Sequence, residues 1–168
     1  FVKSLPPHSF FNVIRFGSSF EKLFEQSLEY NDENCEKAVH LAQNLSADLS
    51  GTNILEPLKY IFSQPNNNGQ RQIFIMTDGE VSDSGKVLNL VSINSTNNRC
   101  FNIGIGRGCD AGLVEGIAIL SNGKSDFVQE GDDISNKVIP QLQSSFYPSF
   151  TSIEIHVEDE DAFEVSPY

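Results

Sequence analysis

The amino-acid sequence predicts an α/β fold in which helices cover both faces of a parallel sheet. Two runs, residues 72–77 and 99–105, are almost wholly apolar, which is typical of strands buried on both faces. Segments with helical periodicity alternate with these strands, as in βαβ units. The length of 168 residues and a hydrophobic content of 39% fit one domain with a substantial core.

The first half of the chain predicts two strands and two helices. Residues 1–5 are expected to end a helix, because Pro6 and Pro7 follow them. Residues 10–16 predict a buried strand, and residues 20–24 a short edge strand. A helix follows, capped by Asp32 and running to about Leu45, with one apolar face: Cys35, Ala38, Val39, Ala42 and Leu45. A second helix begins near Asn53 or Ile54 and carries Pro57 in its first turn.

The second half continues the alternation. Gln72–Thr77 and Arg99–Ile105 are predicted to be adjacent parallel strands, each buried on both faces. The other elements are a loop at 65–69, a helix at 84–93, a helix from Asp110 or Ala111 to Leu120, a strand at 125–128, and a helix at 132–146 that turns Ile134, Val138, Ile139 and Leu142 inward.

The pattern changes after Pro148. Residues 150–157 alternate with a period of two, which predicts a half-exposed antiparallel strand. We therefore expect a domain at residues 1–147 and the start of a β-rich segment at residues 148–168. Because the chain begins at Phe1, we also expect it to be part of a longer protein.

Charge and cysteine content restrict the partners and the compartment. The net charge of −12 repels phosphate backbones, which disfavours nucleic-acid binding. No apolar run approaches the roughly 20 residues that span a bilayer, so no membrane partner is expected. Three cysteines without metal-type spacing favour a reducing compartment, cytoplasmic or nuclear. N-glycosylation sequons at Asn44 and Asn94 point weakly to the alternative of secretion.

Oxygen-bearing side chains follow several predicted strands and loops. Asp78 and Gly79 come directly after one buried strand, Gly51 and Thr52 precede a helix, and residues 17–19 (Gly17, Ser18 and Ser19) follow the first strand. Ligands of open α/β sheets bind at the carboxyl ends of the strands. Carboxylate and hydroxyl oxygens suit Mg²⁺, Mn²⁺ or Ca²⁺. The spacing alone favours a purely structural interpretation, with Thr52 as a helix cap and Asp78 as a turn residue, because such residues are common in turns.

Four segments in register resemble the von Willebrand factor A (vWA) domain, in the branch associated with vault/inter-α-trypsin domains. These segments are residues 11–19, 47–58, 74–80 and 100–106. The resemblance implies a Rossmann-like, doubly wound and mostly parallel sheet that bears a metal-ion-dependent adhesion site. It assigns Thr52 and Asp78 as metal ligands, supported by the loops of Gly17, Ser18, Gly51 and Gly79. The implied function is a non-catalytic protein-interaction module whose Mg²⁺ (or Mn²⁺ or Ca²⁺) binds an acidic side chain of a partner.

The chain also departs from the family pattern. The first strand of the family ends in Asp-x-Ser-x-Ser, which supplies three of five ligands, and nothing here matches it. That central strand is expected before Phe1, so a gap of about 10 Å is predicted between residues 10–16 and 72–77. Ser50 stands where many relatives have a second glycine.

A second hypothesis concerns the glycine-rich loop from Gly104 to Gly112. It follows a strand and opens a helix, as dinucleotide-binding loops do, but its spacing is a variant one. A nucleotide-dependent enzyme is therefore the alternative function. Cys109 near the helix start is a weaker candidate nucleophile, because no histidine pairs with it in sequence.

Overall fold

Seven strands and five helices make up the part of the chain that the computed structural model describes, namely residues 1–45, 49–66, 69–81 and 83–147. In chain order they are β1 (Phe10–Phe11), β2 (Ile14–Phe16), β3 (Phe20–Lys22), β4 (Leu28–Glu29), α1 (Asp32–Gln43), α2 (Leu55–Ser63), β5 (Arg71–Thr77), α3 (Ser84–Asn94), β6 (Asn98–Ile105), α4 (Ala111–Leu120), β7 (Lys124–Val128) and α5 (Ser135–Ser145). The predicted strand at residues 150–157 and the boundary at 148 lie outside these ranges.

A parallel sheet in the order β5-β6-β7 organises the domain. Ile73 pairs with Cys100 on β6, and Phe101 pairs with Lys124 on β7. The predicted parallel pairing of the two apolar strands is therefore confirmed. Helices α2, α3 and α4 pack on the Ile73 face of the sheet and enclose the main core there.

Burial on both faces was predicted for both apolar strands, and it is correct for β6 only. Residues from Cys100 to Gly104 are buried, whereas Met76 on β5 is 39% exposed. The reason is that β5 lies at the edge of the described sheet, so less of the molecule covers its second face. Phe1 covers part of that face, with its ring 4.5 Å from the ring of Phe74 in an edge-on arrangement.

The N-terminal region forms two small antiparallel pairs, β1 with β4 and β2 with β3. The prediction of one buried strand over residues 10–16 is wrong, since only Phe11 in it is a buried side chain. Asn12 interrupts the run because its side chain bonds to both backbone groups of Phe24 and to the amide of Val13. Within the described ranges, neither pair forms backbone hydrogen bonds of a common sheet with β5. The width of the gap between residues 10–16 and 72–77 stays a prediction.

The helix boundaries are close to those predicted, and the buried faces differ. Asn31, not Asp32, caps α1 by accepting the amide of Asn34, and Leu45 beyond the helix is 56% exposed. Residues 2–4 form a 3-10 turn in place of the expected helix end.

Helix α5 starts at Ser135, three residues later than predicted. It buries Leu142 as expected but leaves Ile139 52% exposed and Ile134 also exposed. Gln141 is buried in their place, because its side-chain amide donates to the Asn102 carbonyl of β6.

Candidate functional site

Thr52 and Asp78 lie in neighbouring loops, and Gly79 allows the two loops to touch. Thr52 precedes α2, and Asp78 directly follows β5. A Cβ atom on Gly79 would lie 2.5 Å from the Thr52 hydroxyl oxygen, closer than real Cβ atoms approach other atoms. Only a residue without a side chain therefore lets the Thr52 hydroxyl rest against the backbone next to Asp78. The half-buried threonine and the exposed aspartate thus share one edge of the sheet.

The loop after β2 joins the same group. The Asn53 amide donates a 2.8 Å hydrogen bond to the Gly17 carbonyl, which ties this loop to the residues around Thr52. A Cβ atom on Gly17 would collide with the backbone of Leu49. Gly51 adopts a φ of +80°, a left-handed conformation that favours glycine, and its missing Cβ would lie 3.7 Å from the Ser18 amide. The predicted supporting residues are therefore adjacent in space.

A fourth loop, residues 106–110 after β6, also approaches the site. The position of a Cβ atom on Gly108 lies 3.1 Å from the Asp78 carbonyl oxygen. This approach was not predicted from the sequence. The local signal for it is the repeated glycines at 104, 106 and 108, a pattern that also resembles a dinucleotide-binding loop.

The donor set at this edge suits a hard divalent cation in part. A threonine hydroxyl and an aspartate carboxylate are both hard oxygen ligands, as Mg²⁺ prefers. The nearby Asp83 side chain pairs with Lys86 at 2.9 Å and so is engaged within its own turn. No cluster of three or more His, Cys, Asp or Glu side chains suited to a metal ion occurs among the described residues. These two side chains would therefore share a metal with water or with further ligands.

The glycine-rich loop ends at the N-terminus of α4, where an aspartate of this chain already occupies the position that a bound phosphate would need. Asp110 caps α4, where its Oδ1 accepts the Leu113 amide at 2.9 Å and its Oδ2 accepts the Ser84 hydroxyl at 2.6 Å. The Ser84 hydroxyl, and then the Leu113 amide, lowers the pKa of the Asp110 carboxyl. A carboxylate in this position repels a phosphate, so the geometry does not favour nucleotide binding there. Cys109 packs its sulfur over Gly104 and donates to the Gly106 carbonyl.

None of the helices in the described ranges has the length and apolar character needed to cross a membrane.

Comparisons with known proteins agree on one family. The von Willebrand factor type A domain family matches residues 1–127. Von Willebrand factor A domain-containing protein 5B1 of Mus musculus is 39% identical over 155 residues, which cover 92% of this chain and 13% of that protein. Protein 5A of Homo sapiens is also 39% identical over 155 residues, covering 92% of this chain and 20% of that protein. The chain thus spans a fifth or less of the length of these relatives.

Solved structures show the same fold at low sequence identity. The von Willebrand factor type A structure from Catenulispora acidiphila matches with a TM-score of 0.71 at 15% identity, covering 86% of this chain and 34% of that one. The conserved hypothetical protein BatB from Bacteroides thetaiotaomicron matches with a TM-score of 0.65 at 16% identity, covering 86% and 81%. These two structures share the α/β Rossmann-like fold of this chain. The family match over residues 1–127 and the relatives of 39% identity show that the chain belongs to the von Willebrand factor type A domain family.

Proposed function

We propose that this domain is a protein-interaction module that binds an acidic side chain of a partner protein through a divalent metal ion. The single observation that supports this most is the placement of the Thr52 hydroxyl against Gly79, next to Asp78. Four loops from separate parts of the chain meet around that point. Family membership favours interaction over catalysis, and we propose no catalytic step.

In this proposal, the Thr52 hydroxyl binds the metal directly, and the Asp78 carboxylate binds it directly or through water. Mg²⁺ takes six ligands and usually keeps several waters, so two protein oxygens leave positions open. Side chains of the Asp-x-Ser-x-Ser type, which the resemblance implies for the family, would fill some of these positions. A cation held there would supply the positive charge that attracts a carboxylate of the partner.

The charge of the chain supports a protein partner. The net charge of −12 opposes nucleic acids and anionic membrane surfaces, which attract proteins chiefly through basic residues. A metal ion reverses the sign of the potential locally, so that a single carboxylate of a partner is attracted at this edge of the sheet.

The test is titration calorimetry of the protein with Mg²⁺ and with Mn²⁺. Thr52→Ala and Asp78→Ala are each expected to weaken metal affinity by at least about tenfold, since each removes a ligand. Both residues lie in loops, so unfolding in urea should change little. Thr96→Ala and Asp32→Ala are matched controls, because both residues are exposed elsewhere in the domain. Wild-type affinity in both site variants would remove the metal proposal.

A further inference from the structure

The basic residues of this domain are nearly all engaged by neighbouring groups. All 11 Lys and Arg residues fall within the described ranges. Arg71 and Arg99 donate to backbone carbonyls, and Lys124 donates to Ser144. Within those ranges, Lys3 and Arg107 are the two cations with neither an ion pair nor a hydrogen bond. The other six form ion pairs with carboxylates: Arg15, Lys22, Lys37, Lys59, Lys86 and Lys137.

Of these two free cations, Arg107 lies at the carboxyl edge of the sheet. It belongs to the loop at 106–110 and is exposed. Its neighbour Gly108 is the residue that approaches the Asp78 carbonyl, with 3.1 Å to a Cβ position. Arg107 also lines an open cleft of about 480 Å³ together with Gly106, Gln129 and Glu130. An unpaired guanidinium therefore lines a cleft, in a loop whose next residue approaches the Asp78 backbone.

We propose that Arg107 is a second anchor for the partner, and that the partner presents two carboxylates. This inference rests on the proposed function, in which a first carboxylate completes the metal shell at Thr52 and Asp78. The second carboxylate enters the cleft and pairs with the guanidinium of Arg107. The planar guanidinium presents a fork of N–H donors that matches both oxygens of a carboxylate.

The position of Arg107 next to Gly108 guides the choice of the partner segment. Consecutive Cα atoms lie about 3.8 Å apart, so Arg107 is one such step from the residue that touches the Asp78 backbone. In an extended segment, side chains two residues apart point to the same side and lie about 7 Å apart. The segment that we propose is therefore an extended acidic-x-acidic one, with one carboxylate for the metal and the next one for the arginine side chain.

Glu130 limits what else the cleft can accept. Its exposed carboxylate lines the same cleft as Arg107, with no ion pair between them. A polyanion such as a phosphate chain would meet this negative charge, whereas one carboxylate placed on the guanidinium can avoid it. The cleft therefore favours a discrete acidic side chain over a diffuse anion. Glu130→Gln is expected to strengthen binding of the two-carboxylate segment about threefold at most.

The experiment compares two acetylated, fluorescent pentapeptides by anisotropy, in saturating Mg²⁺ and in EDTA. One carries aspartates at positions two and four between glycines, and the other has asparagine at position four. We expect the two-carboxylate peptide to bind about three- to tenfold more tightly in Mg²⁺. Arg107→Ala should abolish this preference and Arg107→Lys should reduce it. Lys3→Ala, which removes the other unpaired cation, should leave it unchanged.

The outcomes separate the two proposals. If both peptides bind equally well in Mg²⁺, or if Arg107→Ala keeps the preference, the assignment of Arg107 is overturned and the metal site is not. If the preference needs Arg107 but persists in EDTA, Arg107 is an anchor and the metal proposal fails. If neither peptide binds under either condition, both proposals are overturned.

Discussion

Replacing Gly79 with alanine tests the closest contact in the proposed site. The added Cβ would lie 2.5 Å from the Thr52 hydroxyl oxygen, about 0.5 Å inside the shortest distance that real Cβ atoms show. Gly79 does not have a positive φ, so alanine is acceptable to its backbone. The effect of Gly79→Ala is therefore steric, and it acts on the position of the Thr52 side chain.

The size of the effect follows from what must move. Thr52 is β-branched and stiff at χ1, so relieving the contact moves it off its preferred rotamer, at a cost of about 0.5–1.5 kcal/mol. Replacing glycine with alanine stabilises a compatible site by about 0.4–1 kcal/mol, which offsets part of that cost. Stability should then fall by no more than about 1 kcal/mol. Mg²⁺ affinity should fall about tenfold, because the hydroxyl that we propose as a ligand is displaced.

Two measurements check this prediction. Urea unfolding of Gly79→Ala, Thr52→Ala and the double variant gives the coupling free energy between the two residues. We expect the double variant to be more stable than the sum of the single changes, since removing the hydroxyl removes the clash. Titration calorimetry with Mg²⁺ gives the loss of affinity in the single variants.

Gly85→Ala serves as the control. Apart from its chain neighbours and its own helix backbone, nothing lies within 4 Å of its Cβ position in α3, so alanine there should stabilise the helix by about 0.5–1 kcal/mol and leave metal binding unchanged. Additive stability changes at positions 79 and 52, together with wild-type Mg²⁺ affinity in Gly79→Ala, would show that the Thr52 hydroxyl does not rest on Gly79.

Two further predictions concern hydrogen bonds that hold the loops of the domain. Asp110→Ala removes the cap of α4 and the bond from Ser84, and should lower the free energy of unfolding by about 1–2 kcal/mol in urea at neutral pH. The pKa of the Asp110 carboxyl is lowered from its ordinary value of 3.8, so its contribution is present above that pH and is lost as pH falls through the lower folded value. An equal stability difference between wild type and Asp110→Asn at all acidic pH values would contradict this. Arg71→Ala should cost about 2 kcal/mol or more, because the guanidinium donates to the Ile61 and Gln64 carbonyls, and Arg71→Lys should recover only part of it by the same unfolding assay.

The order of elements in the central sheet follows from local sequence patterns. Apolar runs of strand length predicted β5 and β6. The helical periodicity between them predicted the parallel pairing that the structure shows. The start of α4 was predicted at Asp110 or Ala111, and Asp110 is the N-cap of a helix that begins at Ala111. Thr52 and Asp78 could be placed at the carboxyl edge for the same reason, since each directly borders a predicted element. Periodicity and capping act within a few residues, so they are readable from the chain itself.

Contacts between distant segments were decided only by the tertiary structure. The family resemblance placed Thr52 and Asp78 at one site, but no local pattern near Gly79 indicates that Thr52 lies against it. None near Gly108 indicates its approach to Asp78. The prediction that β5 is buried on both faces failed for the same reason. Met76 is as apolar as a core residue but lies where few neighbouring residues cover the sheet. Sequence determines which surfaces prefer to be buried, through the hydrophobic effect and local backbone preferences. Which of those surfaces find a partner depends on where every other element packs, and that is a property of the whole fold.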